Sequence, residues 1–341
     1  MSNQTASIIS KSTCKKKAYN ILTFDTHERY QTQLAKTGHN FYAFRSDGCK
    51  EWNQDYGKQP ENYYTLPKNS IYHGLDFDFI LSQSKFGQIQ ASHQINQVLK
   101  LPIVSLEHTL PIPSWPDEQF SQLRQMTGDI NVFISKYSVG RWGFTGEPHE
   151  VVHHSVDTSL FKPIEADKMK APEGTCVTLN DHVLSVVNDF KSRDYCCNYS
   201  GWERITKDLN TKLVGSCSEG LSKPAHSIEQ LVSDYNYASV FLNTSTFSPI
   251  PTSLLEAMSC GCAVVSTATC MIPEIIEDGV NGYISNDEAV LKSQIQNLLK
   301  NPGLAKELGE NARQTILEKF NEDSFVNNWN NIFNKAYGLK K

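Results

Sequence analysis

Short apolar runs separated by polar, helix-compatible stretches recur along the whole chain. Tyr19 to Phe24 reads as a buried strand, and a polar turn over Asp25 to Glu28 leads into a helical stretch that ends at Thr37-Gly38. His39 to Phe44, Phe77 to Ser82 and Ile103 to Leu106 predict further strands, with a helix over Gln88 to Leu99. Asp129 to Ser135 and Glu150 to His154 continue the strand rhythm. Alternation of this kind predicts a parallel α/β sheet.

The composition changes across Phe161 to Gly174, where Lys162-Pro163, Ala171-Pro172 and Gly174 sit among charges, and a linker is expected there. Beyond it the alternation resumes. Strands are predicted over Val183 to Val187, Lys212 to Val214, Ser239 to Leu242 and Ala263 to Ser266. Helices are predicted over Gly201 to Leu209, Ile228 to Tyr235, Ser253 to Ser259, Pro273 to Glu277 and Glu288 to Leu299. In the tail, Phe325, Trp329, Ile332, Phe333 and Tyr337 fall near one helical face, which predicts a docked helix. No repeat of solenoid length recurs. The domains expected are 17–163 with the tail helix over about 322–339, and 174–321.

Composition fits this picture. The 341 residues are 39% hydrophobic and 20% charged, which excludes a disordered or collagen-like chain. Lys plus Arg is 32 against 37 Asp plus Glu, so the net charge of -5 gives no global attraction for DNA or RNA and leaves room only for a local basic groove. There is no transmembrane-length apolar run and no secretory h-region, so a cytoplasmic protein is expected. Lys15 to Lys17 allows at most a peripheral visit to the inner face of an anionic membrane. Nine cysteines without framework or zinc-ribbon spacing read as reduced thiols.

The candidate chemistry concentrates in Ser248-Pro249-Ile250-Pro251-Thr252-Ser253-Leu254-Leu255-Glu256-Ala257-Met258, followed by Cys260-Gly261, Val264-Val265, Pro273-Glu274-Ile275-Ile276, Asp278-Gly279 and Asn281-Gly282. A Pro-rich loop delivers Thr252-Ser253 to the N-cap of a helix whose first amides are unpaired. A diphosphate would be held there by backbone N–H groups and the helix dipole, and Glu256, one turn in, would accept from ribose hydroxyls. The other reading is a plain helix cap with a surface glutamate.

This run, about 35 residues long, resembles the signature of retaining glycosyltransferase family 4, the GT-B nucleotide-sugar enzymes. Val156-Asp157-Thr158 with Phe161 and Pro163 resembles the family's inter-domain segment, and His108 resembles its histidine after an N-domain strand. The resemblance implies two Rossmann-like parallel-sheet domains facing a cleft, with the C-terminal helix crossing back to the N-terminal domain. It implies transfer from a nucleoside-diphosphate sugar, UDP or GDP being expected, to a hydroxyl of a glycan, lipid or small molecule. Retention by front-face attack is implied, with His108, Arg193 and Lys191 catalytic and Ser248 through Leu254, Glu256 and Gly215 binding the donor. Gly215 opens a loop, Gly215 to Pro224, of the kind that wraps a nucleobase. His27 and Glu28, in the first strand-to-helix loop, would approach the acceptor. No separate cofactor is implied, and no metal-binding Asp-x-Asp is expected, in keeping with metal independence. His149, His153 and His154 invite a metal reading that their extended segment argues against, because it sets the last two on opposite faces.

Two departures stand out. The family's first carboxylate would lie eight positions before Glu256, where this chain has Ser248. The family's Arg-then-Lys clamp is matched by Arg193 for the lysine, with Lys191 as the substitute for the arginine. Three alternatives therefore stay open: a DNA-base glycosyltransferase, a nucleotide-sugar epimerase or phosphorylase, and a non-catalytic nucleotide-sugar-binding module.

Overall fold

The computed structural model describes residues 18–25, 27–46, 51–54, 57–72, 74–165, 181–217 and 220–340. The basic run Lys15 to Lys17 and most of the expected linker, from residue 166 to Gly174, lie outside them. The chain forms two compact units. One comprises the described residues up to His154 together with those from Asp323 onward, and the other is Ser155–Glu322.

Unit 1 holds seven parallel strands: β1 (Asn20–Phe24), β2 (Asn40–Phe44), β3 (Tyr63–Thr65), β4 (Phe79–Ser82), β5 (Ile103–Glu107), β6 (Ile130–Phe133) and β7 (Glu150–Val151). Their order is β3-β2-β1-β4-β5-β6-β7. Every residue of β1, β4 and β5 is buried, because helices cover both faces of a parallel sheet; the strands therefore read as continuous runs. Helices α1 (Glu28–Ala35), α2 (Gln88–Leu99), α3 (Asp117–Gln125) and α4 (Lys136–Arg141) make the connections. The short β3 and the helices α3 and α4 were not expected from the periodicity; α3 fully buries none of its residues, and only Phe120 and Leu123, half-buried against the cluster around Trp142, mark its apolar side.

Unit 2 holds five parallel strands: β8 (Val183–Val186), β9 (Thr211–Val214), β10 (Val240–Asn243), β11 (Ala263–Ser266) and β12 (Tyr283–Ile284), in the order β12-β11-β10-β8-β9. Its helices are α5 (Asp194–Cys197), α6 (Tyr199–Thr206), α7 (Ile228–Tyr237), α8 (Thr252–Ser259), α9 (Ile272–Ile275), α10 (Glu288–Lys300) and α11 (Pro302–Lys319). The longest of these, α11, went unpredicted, although Pro302 at its first turn and Ala305, Leu308, Ala312 and Ile316 at helical spacing mark it. It packs closely on the end of α8: a Cβ on Gly309 would stand 2.0 Å from the Gly261 carbonyl oxygen. The start of the expected linker is not loose. The Phe161 carbonyl accepts from Ser259 Oγ at 2.6 Å, and Ile164 N–H donates to Asn236 Oδ1 at 2.7 Å.

The final helix, α12 (Glu322–Gly338), packs in unit 1. It buries Phe325, Trp329, Ile332, Phe333 and Ala336, one stripe at 3.6 periodicity. Phe333 meets Phe79 at 5.3 Å and His39 at 5.5 Å between ring centroids. Tyr337, expected on the same face, is instead 47% exposed and stacks on Tyr19 at 4.8 Å. Polar ties frame the stripe: Tyr19 Oη donates to Asn334 Oδ1 at 2.7 Å, and Lys340 lies 3.1 Å from Asp78. Because Phe333 is fully buried among these rings, Phe333→Ala is expected to cost about 3–5 kcal/mol of unit 1 stability. A urea denaturation series checks this, and a loss under about 1 kcal/mol would mean that the helix is not docked through this stripe.

Candidate nucleotide-sugar site

In unit 2 the strand order reverses between β8 and β10, so the loops leaving their C-terminal ends border a crevice of the kind where α/β sheets take ligands. Backbone hydrogen bonds hold these loops together. After β8 and β9, Asp189 N–H donates to Ser216 O at 2.7 Å and Ser216 N–H to Asn188 Oδ1 at 2.9 Å. Gly215 makes the approach feasible: at φ +147, a Cβ there would stand 2.0 Å from Val187 O. After β10, Thr246 N–H and Phe247 N–H both donate to Cys196 O, at 2.9 and 3.1 Å, and Thr244 Oγ1 donates to Cys197 O at 3.0 Å. One connected layer of loops thus carries Lys191, Arg193, Gly215 and Ser248.

Within that layer Lys191 and Arg193 are exposed. Arg193 stands at the start of α5, where its N–H donates to Asp189 O at 2.9 Å. Lys191 Nζ lies 5.4 Å from the Tyr199 ring centroid, so this cation rests on an aromatic face. The loop 248–251 then leads into α8. Its N-cap is Pro251, which has no side-chain cap bond, whereas Thr252 and Ser253 already belong to the helix. The hydroxyl cap expected of those two residues is therefore absent. The first helical bond is Leu254 N–H to Pro251 O at 3.1 Å, and the Thr252 and Ser253 amides precede it at the positive end of the dipole. Thr252 is exposed; Ser248, Pro249 and Ser253 are half-buried.

Three donor-side expectations change. Ile250 is 6% exposed and Leu254 fully buried, with its N–H already used, so both are packing residues that shape the loop. Glu256 is 5% exposed, and its Oε2 accepts from Tyr235 Oη at 2.9 Å. The carboxylate expected to meet ribose is thus engaged by a buried tyrosine of α7.

In unit 1, His108 follows β5 and is 8% exposed, with no hydrogen-bond partner for either ring nitrogen among the described residues. Three rings stand edge-on around it: Tyr30 at 4.4 Å, His27 at 5.6 Å and His154 at 5.7 Å. Burial away from compensating charge drives the His108 pKa well below its ordinary value and that of His154 to about 3, so both are neutral. His27 is the N-cap of α1, exposed and without a side-chain cap bond. Glu28 is half-buried, and its Oε1 accepts from Asn53 N–H at 3.1 Å.

Residues 224–315 match the family model for glycosyl transferases group 1. Similar sequences include the alpha-maltose-1-phosphate synthase of Mycolicibacterium smegmatis, 35% identical over 105 residues, and the N-acetyl-alpha-D-glucosaminyl L-malate synthase of Bacillus anthracis, 35% identical over 82. The matches span 28% and 24% of this chain and only 26% and 22% of those relatives. Among solved structures, the sucrose-phosphate synthase of Thermosynechococcus elongatus superposes with a TM-score of 0.74 at 14% identity, over 94% of this chain and 100% of the other. Anabaena Alr3699/HepE in complex with UDP-glucose gives 0.70 at 16% identity, over 93% and 100%. The chain therefore carries a segment similar to group 1 glycosyl transferases and has the GT-B fold.

The group 1 glycosyl transferase segment contains the Ser248 loop, α8 and Glu256, while Lys191, Arg193 and Gly215 join it from outside through the loop layer. The sequence missed Asn188 and Tyr235 and weighed His154 only as a metal candidate; the partners of all three lie on other elements. It also missed a spacing: Asp76-Phe77-Asp78 is an Asp-x-Asp. Both carboxylates face Lys340, at 3.5 and 3.1 Å, and Asp78 Oδ2 accepts from Asn20 N–H at 2.8 Å, so the pair serves as a tether for the C-terminal end. Among the described residues no group of three His, Cys, Asp or Glu is arranged to hold a metal. Cavities of about 420 Å³ beside Lys85 and about 530 Å³ beside Asn281 are lined by none of the expected site residues.

Gly215→Ala is expected to push apart the loops after β8 and β9 and weaken nucleotide binding at least about tenfold while unit 1 is unaffected. Calorimetric titration with UDP checks this, and unchanged affinity would show that loop apposition is dispensable. The buried histidines add a pH dependence. Unfolded, each titrates near its ordinary value of about 6.5; folded, His154 takes a proton only near pH 3. As pH falls below about 6.5 the unfolded chain binds more protons, so stability present at neutral pH is lost. Urea melts at about pH 7 and pH 5 should show that loss, reduced in His154→Leu. An equal loss in both proteins would contradict it.

Proposed function

We propose that this chain is a retaining glycosyltransferase that moves a sugar from a nucleoside-diphosphate sugar to an acceptor hydroxyl, in the cytoplasm and without a metal. The observation that carries this reading is the loop layer at the unit 2 switch point, where Arg193 and Lys191 are held to the same backbone scaffold as the open start of α8. A diphosphate has what it needs there: two exposed cations and two helix-end amides. Alr3699/HepE, the same fold, was solved with UDP-glucose, which supports a uridine donor as the first to try, with guanosine donors as the next. The acceptor is a glycan, a lipid or a small molecule bearing a hydroxyl.

The reaction this reading implies is front-face transfer. The acceptor oxygen bonds to the anomeric carbon on the face from which the diphosphate departs, and the departing phosphate oxygen takes the acceptor proton. Arg193 and Lys191 stabilise the charge that builds on the leaving group, and neutral His108 orients a sugar hydroxyl. No carboxylate nucleophile is required, which accommodates Ser248.

A second reading, a nucleotide-sugar-binding module without turnover, is favoured by the same Ser248 and by the bond between Glu256 and Tyr235. Calorimetry against UDP and GDP sugars, followed by an assay of nucleotide release with and without acceptor glycans, separates the two. Transfer supports the enzyme, binding without release supports the module, and no binding of any donor to the folded protein removes both. Arg193→Ala is expected to weaken donor binding by about 1.5–3 kcal/mol, the range for a hydrogen bond to a charged group. Unchanged affinity would take Arg193 out of the site.

A further inference from the structure

The imidazole cluster of unit 1 holds more unused hydrogen-bonding capacity than one histidine accounts for. His108 has two ring nitrogens without a partner among the described residues, and His154 Nε2, on the next ring, is likewise buried and unpartnered. Buried polar atoms are normally paired, so three unpaired ones in one cluster point to a ligand group that would pair them. The two rings are perpendicular, 88° apart, with centroids separated by 5.7 Å.

Tyr30 fixes this arrangement. Its ring stands edge-on to both histidines, at 4.4 and 5.1 Å, and to Phe325 at 5.4 Å. Its hydroxyl accepts from Trp329 Nε1 at 3.0 Å, so α12 pins the side chain against which both imidazoles rest. We propose that His154 is a second ligand-contacting residue beside His108, and that the Trp329–Tyr30 bond positions both rings for a neutral, hydroxyl-bearing group.

The chemistry of the group follows from its surroundings. A neutral imidazole presents one donor and one acceptor nitrogen, which a hydroxyl matches from either side. Among the described residues the rings in contact with the two histidines are Tyr30 and His27, and neither supplies a fixed positive charge; a carboxylate, Glu28, adjoins His27. An anionic group would be buried there without a counter-charge. This inference rests on the glycosyltransferase reading for its biological ligand, but its test does not.

The full chain with 15N-labelled histidine is titrated with methyl α-glucopyranoside and with the methyl glycoside of glucuronic acid, following the imidazole nitrogens by NMR. The glucoside is expected to move the His108 and His154 signals, and the glucuronide to bind about tenfold more weakly. His154→Leu should weaken glucoside binding at least about fivefold without changing UDP affinity. Trp329→Phe, which keeps an aromatic ring but lacks the N–H, should shift both histidine signals in the free protein and decides the point if the leucine variant does not fold. No glucoside response, a silent His154 beside a responding His108, or equal affinity for the glucuronide would overturn the inference. Titration with UDP-glucose and with UDP alone identifies the source of the group: rings that answer UDP-glucose but not UDP bind the donor sugar, and rings that answer only the glucoside bind the acceptor. Failure of UDP to bind would defeat the donor reading while leaving the glucoside result to stand for or against this inference.

Discussion

Two amides converge on one carbonyl oxygen, and the unit 2 site depends on that convergence. The Thr246 and Phe247 N–H groups both donate to Cys196 O, which ties the loop after β10 to the short helix after β8. Together with the Thr244 Oγ1 bond to Cys197 O, this tie holds the loop that leads into α8 against the segment that follows Lys191 and Arg193. The sheet sets up the encounter, since parallel strands bring all these loops to one edge and the reversal of order opens a crevice between β8 and β10. Gly215 completes it on the other side, where a side chain would occupy the space of Val187 O.

An anion held this way would need few side chains. The helix end offers amides and a dipole that need no reorganisation, and the exposed Lys191 and Arg193 would supply the positive charge. The placement of Glu256 belongs to the same economy: a buried carboxylate bonded to Tyr235 anchors α8 against α7 and keeps the helix start rigid. Ser248, half-buried in the loop ahead of it, brings a hydroxyl where relatives of the resembled family bring charge.

Unit 1 solves a different problem. His108 and His154 are neutral because burial makes protonation costly, and they stay in place because α12, distant in sequence, returns to close the cluster. Trp329 is buried in that helix stripe and bonds Tyr30, so one residue serves both the docking of the helix and the geometry of the rings. The stability of the helix contact and the order of the imidazole cluster are therefore coupled.

The sequence by itself determined the two parallel sheets and most helices, because a strand buried on both faces must be apolar at nearly every position and a docked helix must carry a stripe. It also determined the segment around α8, whose residue order is specific enough to match a family of glycosyl transferases. It under-read elements without a strong pattern, such as α3, which fully buries none of its residues, and it placed the helix cap one to two residues late because Pro251, which cannot cap through a side chain, occupies the N-cap. Only the tertiary structure decided the fate of individual polar groups. That Glu256 meets Tyr235, that Asp76 and Asp78 hold Lys340, and that His154 stands beside His108 are facts about residues far apart in the chain. A local pattern records what one element buries, but the partner of a buried carboxylate or imidazole is chosen by whichever other element folding brings against it.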